Sequence, residues 1–309
     1  MLRYLIALPL VLSATVTHAG PFQVVKGNLT ERANSMLALM TYSTTPDLTS
    51  SSLSISDTET GNPDITMSQL GGGFTISKET PLYLEGAIAY SRYDPQFVVS
   101  NGTETRDIRT KWTSISGTGG IGWDFPIADE WVIRPIFNFA LGYMSSDLNT
   151  AHWYLEHETG RDIRFLDGGD MSAGGVGGSL MLDWEHYRPD YEIDLELRYS
   201  YIYLENLGHD KVINGHAEGQ TANLWARWRA PTGLTVMQRP LRYVLEVSHS
   251  EYLGDQAGVL GFERLSTLGA GIEFDSSAYD IIITRTRLVL RHVMGDNVSG
   301  FSLGFAVSF

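Results

Sequence analysis

The residues of this sequence whose types and spacing could do chemistry are mostly charges that recur every second position. Glu192, Asp194 and Glu196 form one such series, Arg227 and Arg229 a second, and Arg285, Arg287 and Arg291 a third. Alternate residues of an extended chain share a face, so each series points one way. Acids and arginines facing one another across an enclosed space can make a transverse field that selects passing solutes. They can equally pair and fill that space, because charges taken out of bulk water need partners. The expectation is pairing, with little or no ion conductance.

The histidines offer less. His152 and His157 lie among Glu156, Glu158, Asp162, Asp167 and Asp170. Carboxylates suit calcium, but the spacing matches no known calcium loop and reads as a solvated acidic segment. His209-Asp210 is a dyad without a placed nucleophile. His249 falls on an outward face while Ser248 and Ser250 face in, so pairing it with either serine would need a bulge; it reads as an interfacial histidine. No phosphate loop, zinc signature or Gly-x-Ser-x-Gly occurs. No catalytic, cofactor-binding or metal residue is therefore expected. A non-enzymatic role leads, a small-solute pore is second, and a barrel lipid hydrolase or protease is third.

The elements that must carry these charges are strands. The closing segment, 300–309, places Phe301, Leu303, Phe305, Val307 and Phe309 on one face and Gly300, Ser302, Gly304, Ala306 and Ser308 on the other. Its length matches a tilted membrane strand of roughly 9–11 residues. The same alternation predicts strands over 67–77, 82–92, 113–125, 131–143, 175–184, 191–203, 221–230, 241–249, 265–274 and 281–294. A poorly patterned first strand at 35–42 brings the total to twelve. Short connections at 78–81, 126–130, 187–190, 231–238 and 275–280 alternate with long ones at 43–64, 93–110, 144–172, 205–220 and 250–264; only 295–299 breaks the pattern by being brief. With apolar residues outward, charges inward and aromatic strand ends (Tyr143, Trp184, Tyr191, Trp228), the predicted fold is all-β: a 12-stranded antiparallel transmembrane outer-membrane barrel with short periplasmic turns and long outer loops.

The amino terminus agrees. Residues 1–19 have a basic start at Arg3, an apolar run and the sequence Thr17-His18-Ala19, the layout of a cleavable secretory signal. Residues 20–34 read as a lead-in, with a weak capping box at Asn28-Leu29-Thr30-Glu31, and could form a short helix in the pore; 35–309 is the barrel. If anything occupies the pore, the small inward face beside Arg285, Arg287 and Arg291 is where it is expected. The chain has no cysteine, 32 glycines and a net charge of −14, one more negative without Arg3. That acidity argues against nucleic acid or an anionic lipid surface as the partner.

The secretory start, the twelve strands, the alternating last strand and the terminal Phe309 resemble the translocator barrel of autotransporters, in the solitary form without a passenger. The resemblance covers 35–309. It implies a Gram-negative outer-membrane location, outer-membrane lipid and lipopolysaccharide as surroundings, and the barrel assembly machinery as a partner reading the face of Phe301, Leu303, Phe305, Val307 and Phe309. It implies no reaction and no cofactor, and it leaves the outer-loop ligand unknown.

Overall fold

The computed structural model describes residues 29–44, 52–55, 64–94, 96–100, 105–109, 111–146, 170–207, 215–275, 285–296 and 298–308. The signal segment, the lead-in up to residue 28, His152, His157, the His209-Asp210 pair and Phe309 lie outside them.

One helix and fifteen strand segments follow in order: α1 (Leu29–Thr44), β1 (Ser52–Ile55), β2 (Asp64–Thr75), β3 (Leu82–Asp94), β4 (Gln96–Ser100), β5 (Thr105–Arg109), β6 (Trp112–Trp123), β7 (Phe125–Ala128), β8 (Trp131–Ser146), β9 (Asp170–Tyr187), β10 (Glu192–Asn206), β11 (His216–Val236), β12 (Arg239–Gly254), β13 (Arg264–Asp275), β14 (Arg285–Gly295) and β15 (Val298–Ser308). β4 and β5 form a separate two-stranded ribbon. β7 extends β6 along the start of β8. The other twelve make one antiparallel ring, which β1–β15 and β6–β8 pairings close.

A closed ring leaves no unpaired edge in lipid, the condition a spanning sheet has to meet. Its outer surface is apolar: Leu70, Ile88, Phe137, Leu141, Leu180, Leu197, Leu245, Leu268, Leu290 and Leu303 are all exposed. Aromatic pairs mark the short-turn end, with Trp131 stacked on Trp184 at 5.7 Å and Trp228 on Tyr243 at 6.1 Å. Buried residues instead face the lumen, and they are both polar and apolar.

Two sequence expectations fail. The segment 35–42 is not the first strand; it lies within α1. Its run Met36-Leu37-Ala38-Leu39-Met40 is made of strong helix formers, without Gly or Pro, and has no period of two. The first wall strand is instead β1, inside the stretch read as an outer loop. The connection expected at 231–238 is mostly strand. β11 passes Pro231 with a shifted register between Pro231 and Thr235 and continues to Val236. The turn itself is Met237-Gln238, both at positive φ (52° and 63°), the pair of signs that a two-residue hairpin turn matching strand twist requires.

Candidate functional site

The lumen has two layers. Toward the short-turn end it is filled by ion pairs. Asp194 receives Arg227 at 2.9 Å and Arg229 at 3.1 Å; Glu192 receives Arg229 at 2.9 Å, Arg242 at 2.7 Å and Arg285 at 2.7 Å. Glu273, with no exposed surface, accepts from Arg287 at 2.9 Å and Arg229 at 3.3 Å. Arg291 bonds Glu246 at 2.7 Å. Across the ring, Arg198 grips both oxygens of Glu85 at 2.6 and 2.8 Å, and Asn138 donates to the same carboxylate at 2.6 Å. Arg134 bonds Asp124, reaches Asp183 at 3.2 Å and lies 4.1 Å over the Tyr83 ring. Charge-assisted bonds of this kind lock side chains in place. At the turn surface Glu130 accepts from Arg188 at 2.8 Å and lies 2.6 Å from His186, and these contacts hold its carboxyl below its usual range, the His186 hydrogen bond first.

Toward the long-loop end the inward face turns apolar, and α1 occupies the space. The helix leans on β11, β10, β6, β8 and β3. Met36, Leu37, Ala38 and Met40 are buried against Trp112, Ala140, Met144, Ala173, Ile202 and Leu204. Gly142 makes this fit possible: a Cβ there would stand 2.3 Å from the Met40 sulfur. Polar pins fix the helix at several points. Asn34 accepts from the His216 amide at 3.0 Å, and the Ser116 hydroxyl donates to Ser43 Oγ at 3.0 Å. Tyr42 donates to the Gln256 carbonyl at 2.6 Å. That carbonyl belongs to the β12–β13 loop, which folds inward and buries Gln256, Leu260 and Phe262 beside Tyr42 and Tyr252.

All eight sequence-predicted lumen charges lie on the faces assigned to them. Glu192, Asp194, Arg227, Arg229, Arg285, Arg287 and Arg291 join the pairs above. Glu196 shares that face, level with Asp183 and Trp225. The predicted set omitted Glu85, Arg134, Arg198, Arg242, Glu246 and Glu273, although strand parity already turned them inward. The expected location of a pore occupant is wrong: the room beside Gly304 is taken by Arg291, whose guanidinium would lie 2.1 Å from an added Cβ. The helix packs on other strands. Phe301, Leu303 and Phe305 are exposed on the outer face as expected.

The outward histidine differs from its sequence reading. Ser248 and Ser250 do face in, and both are buried. The serine beside His249 comes from the next strand: Ser266 stands opposite it in the β12–β13 register, with Oγ 2.8 Å from Nδ1. Glu251 Oε1 lies 3.0 Å from Nε2. Pairing β12 with β13 in the sequence would have revealed this; reading one strand alone did not. Among the described residues no group of three or more His, Cys, Asp or Glu is arranged to hold a metal ion.

An apolar exterior, aromatic ends and a charged interior on a closed ring define a β-barrel of the Gram-negative outer membrane. Residues 47–151, from β1 through β8, match the family model "Autotransporter beta-domain". The chain is similar to the beta domain of the Bordetella autotransporter BrkA (14% identity, 84% of this chain and 96% of that chain, TM-score 0.47). It is also similar to the transport unit of the autotransporter AIDA-I from Escherichia coli (13% identity, 91% and 99%, TM-score 0.47) and to LpxR from Salmonella typhimurium (10% identity, 79% and 86%, TM-score 0.41). No curated protein matches the chain by sequence.

Proposed function

We propose that the protein is a closed outer-membrane barrel that acts through its outer surface and loops, in surface interaction or as a structural element, and not through its lumen. The observation that carries this reading is the double filling of the lumen, by ion pairs at one end and by α1 at the other. Seven of the eight charges suited to a selective field are held in ion pairs, so they stiffen the wall instead of presenting a path. Twelve strands enclose a modest bore, which one helix can obstruct. The exposed Phe301–Phe305 face supports recognition by the barrel assembly machinery, and the apolar belt supports contact with outer-membrane lipid and lipopolysaccharide.

Planar-bilayer recording of the purified full chain tests this. Small or no conductance is expected. Large, stable single-channel steps from the unaltered protein would replace this reading with that of a small-solute pore.

A further inference from the structure

Three polar side chains interrupt the apolar outer face at one place. His249 and Glu251 share the outward face of β12, and Ser266 stands on the outward face of β13. Most of their outward neighbours are apolar, with Leu224 beside His249, Met294 beside Ser266, and Val247 and Leu268 one step toward the middle of the wall; on the loop side Arg264 stands opposite Glu251. Polar groups facing lipid have to satisfy one another, and these three do so in a chemically directed way. An ionised carboxylate only accepts, so Glu251 draws the imidazole proton to Nε2. That leaves Nδ1 as the acceptor for the Ser266 hydroxyl. The outcome is a hydroxyl, a base and a carboxylate that orients the base, the arrangement that activates a serine as nucleophile, recognised by geometry and not by sequence order.

We infer that Ser266, His249 and Glu251 form a second, outward-facing site that hydrolyses carboxylic esters of membrane lipids. Position argues for the substrate class. The cluster lies near the long-loop ends of its strands, with Val247 and Leu268 below it, Leu224 level with His249, and Arg264, level with Glu251, paired with Asp296 at 2.8 Å on the loop side. That boundary between apolar and charged surface is the depth at which the acyl esters of outer-leaflet lipids lie. The side chains of His249 and Glu251 are about two-fifths exposed, so a lipid can reach them laterally without entering the lumen (41% and 43%).

The step balances with water as co-reactant. Ser266 Oγ attacks the ester carbonyl carbon while its proton passes to His249 Nδ1. The tetrahedral intermediate collapses, the C–O bond to the alcohol breaks, and the departing alkoxide takes that proton. Water, available at headgroup level, then attacks the acyl-serine with His249 again accepting a proton. The acid is released and Ser266 Oγ is reprotonated. Ser266 and His249 are the catalytic residues; Glu251 positions the imidazole.

The test uses the full-length barrel reconstituted separately in phospholipid vesicles and with lipopolysaccharide, measuring free fatty acid by mass spectrometry. Release from one lipid and not the other identifies the ester source. Ser266→Ala should abolish release, and His249→Ala should lower it by about 10²–10⁴-fold. Glu251→Gln should lower kcat with KM unchanged, which a merely structural role would not do. Heat-modifiable gel mobility checks that each variant is a folded barrel. An alkyl fluorophosphonate should label Ser266 in the unaltered protein, a measurement that needs no variant. No release from either lipid, or release that survives Ser266→Ala in a folded barrel, overturns the inference.

Discussion

Glu273 has no exposed surface, and two arginines depend on it. Replacing one partner of a buried ion pair leaves the other charge desolvated, which costs about 3–5 kcal/mol, far more than the pair itself contributes. Glu273→Ala should therefore lower barrel stability by that amount, read from urea unfolding in lipid, because Arg229 keeps Glu192 and Asp194 but Arg287 loses its 2.9 Å partner. Residue-scale features were legible in the sequence wherever one strand decides them. The parity of Glu192, Asp194, Arg227, Arg229, Arg285, Arg287 and Arg291 alone turned them inward. Ser266 was not legible in that way, since its role depends on the register between two strands, and a shift of one residue would turn it to the lumen.

At the scale of elements, the strands were easier to see than the helix. Alternation located eleven of the wall strands near their true positions because lipid outside and charge inside force a period of two. α1 is buried nearly all round, so no single face announces it. A signal was nevertheless present in the wall: the inward positions Met144, Met171, Ala173, Ile202 and Leu204 are apolar, which a water-filled lumen would not favour. β11 runs past the connection expected at 231–238, because the register shift between Pro231 and Thr235 accommodates the proline within the strand. The docking of α1 can be checked directly. The chain has no cysteine, and Ser43 and Ser116 have hydroxyl oxygens 3.0 Å apart. The double variant Ser43→Cys, Ser116→Cys should form a disulfide on mild oxidation, detected by non-reducing gel mobility and intact mass. Failure to cross-link in a folded barrel would contradict the seating of the helix.

For the whole molecule, the membrane decides the pattern. Leu303 is exposed midway along β15, opposite the equally exposed Leu290 of β14. Leu303→Arg should cost about 2–4 kcal/mol in equilibrium unfolding from lipid if this position lies near the bilayer midplane. An unchanged stability would contradict lipid contact at this face. The enclosed helix has a further consequence, for the order of assembly. Tyr42 and its Gln256 acceptor are 214 residues apart in the chain. The hairpins from β8 to β14 pair neighbours in sequence and can form locally, but α1 cannot seat until β10, β11 and the β12–β13 loop exist. β1, which follows the helix, cannot meet β15 until the last residues are made. Contacts at such separation carry the largest loop-closure entropy and form slowest. Ring closure and helix capture are thus expected as coupled late events in folding, because each joins segments from opposite ends of the wall.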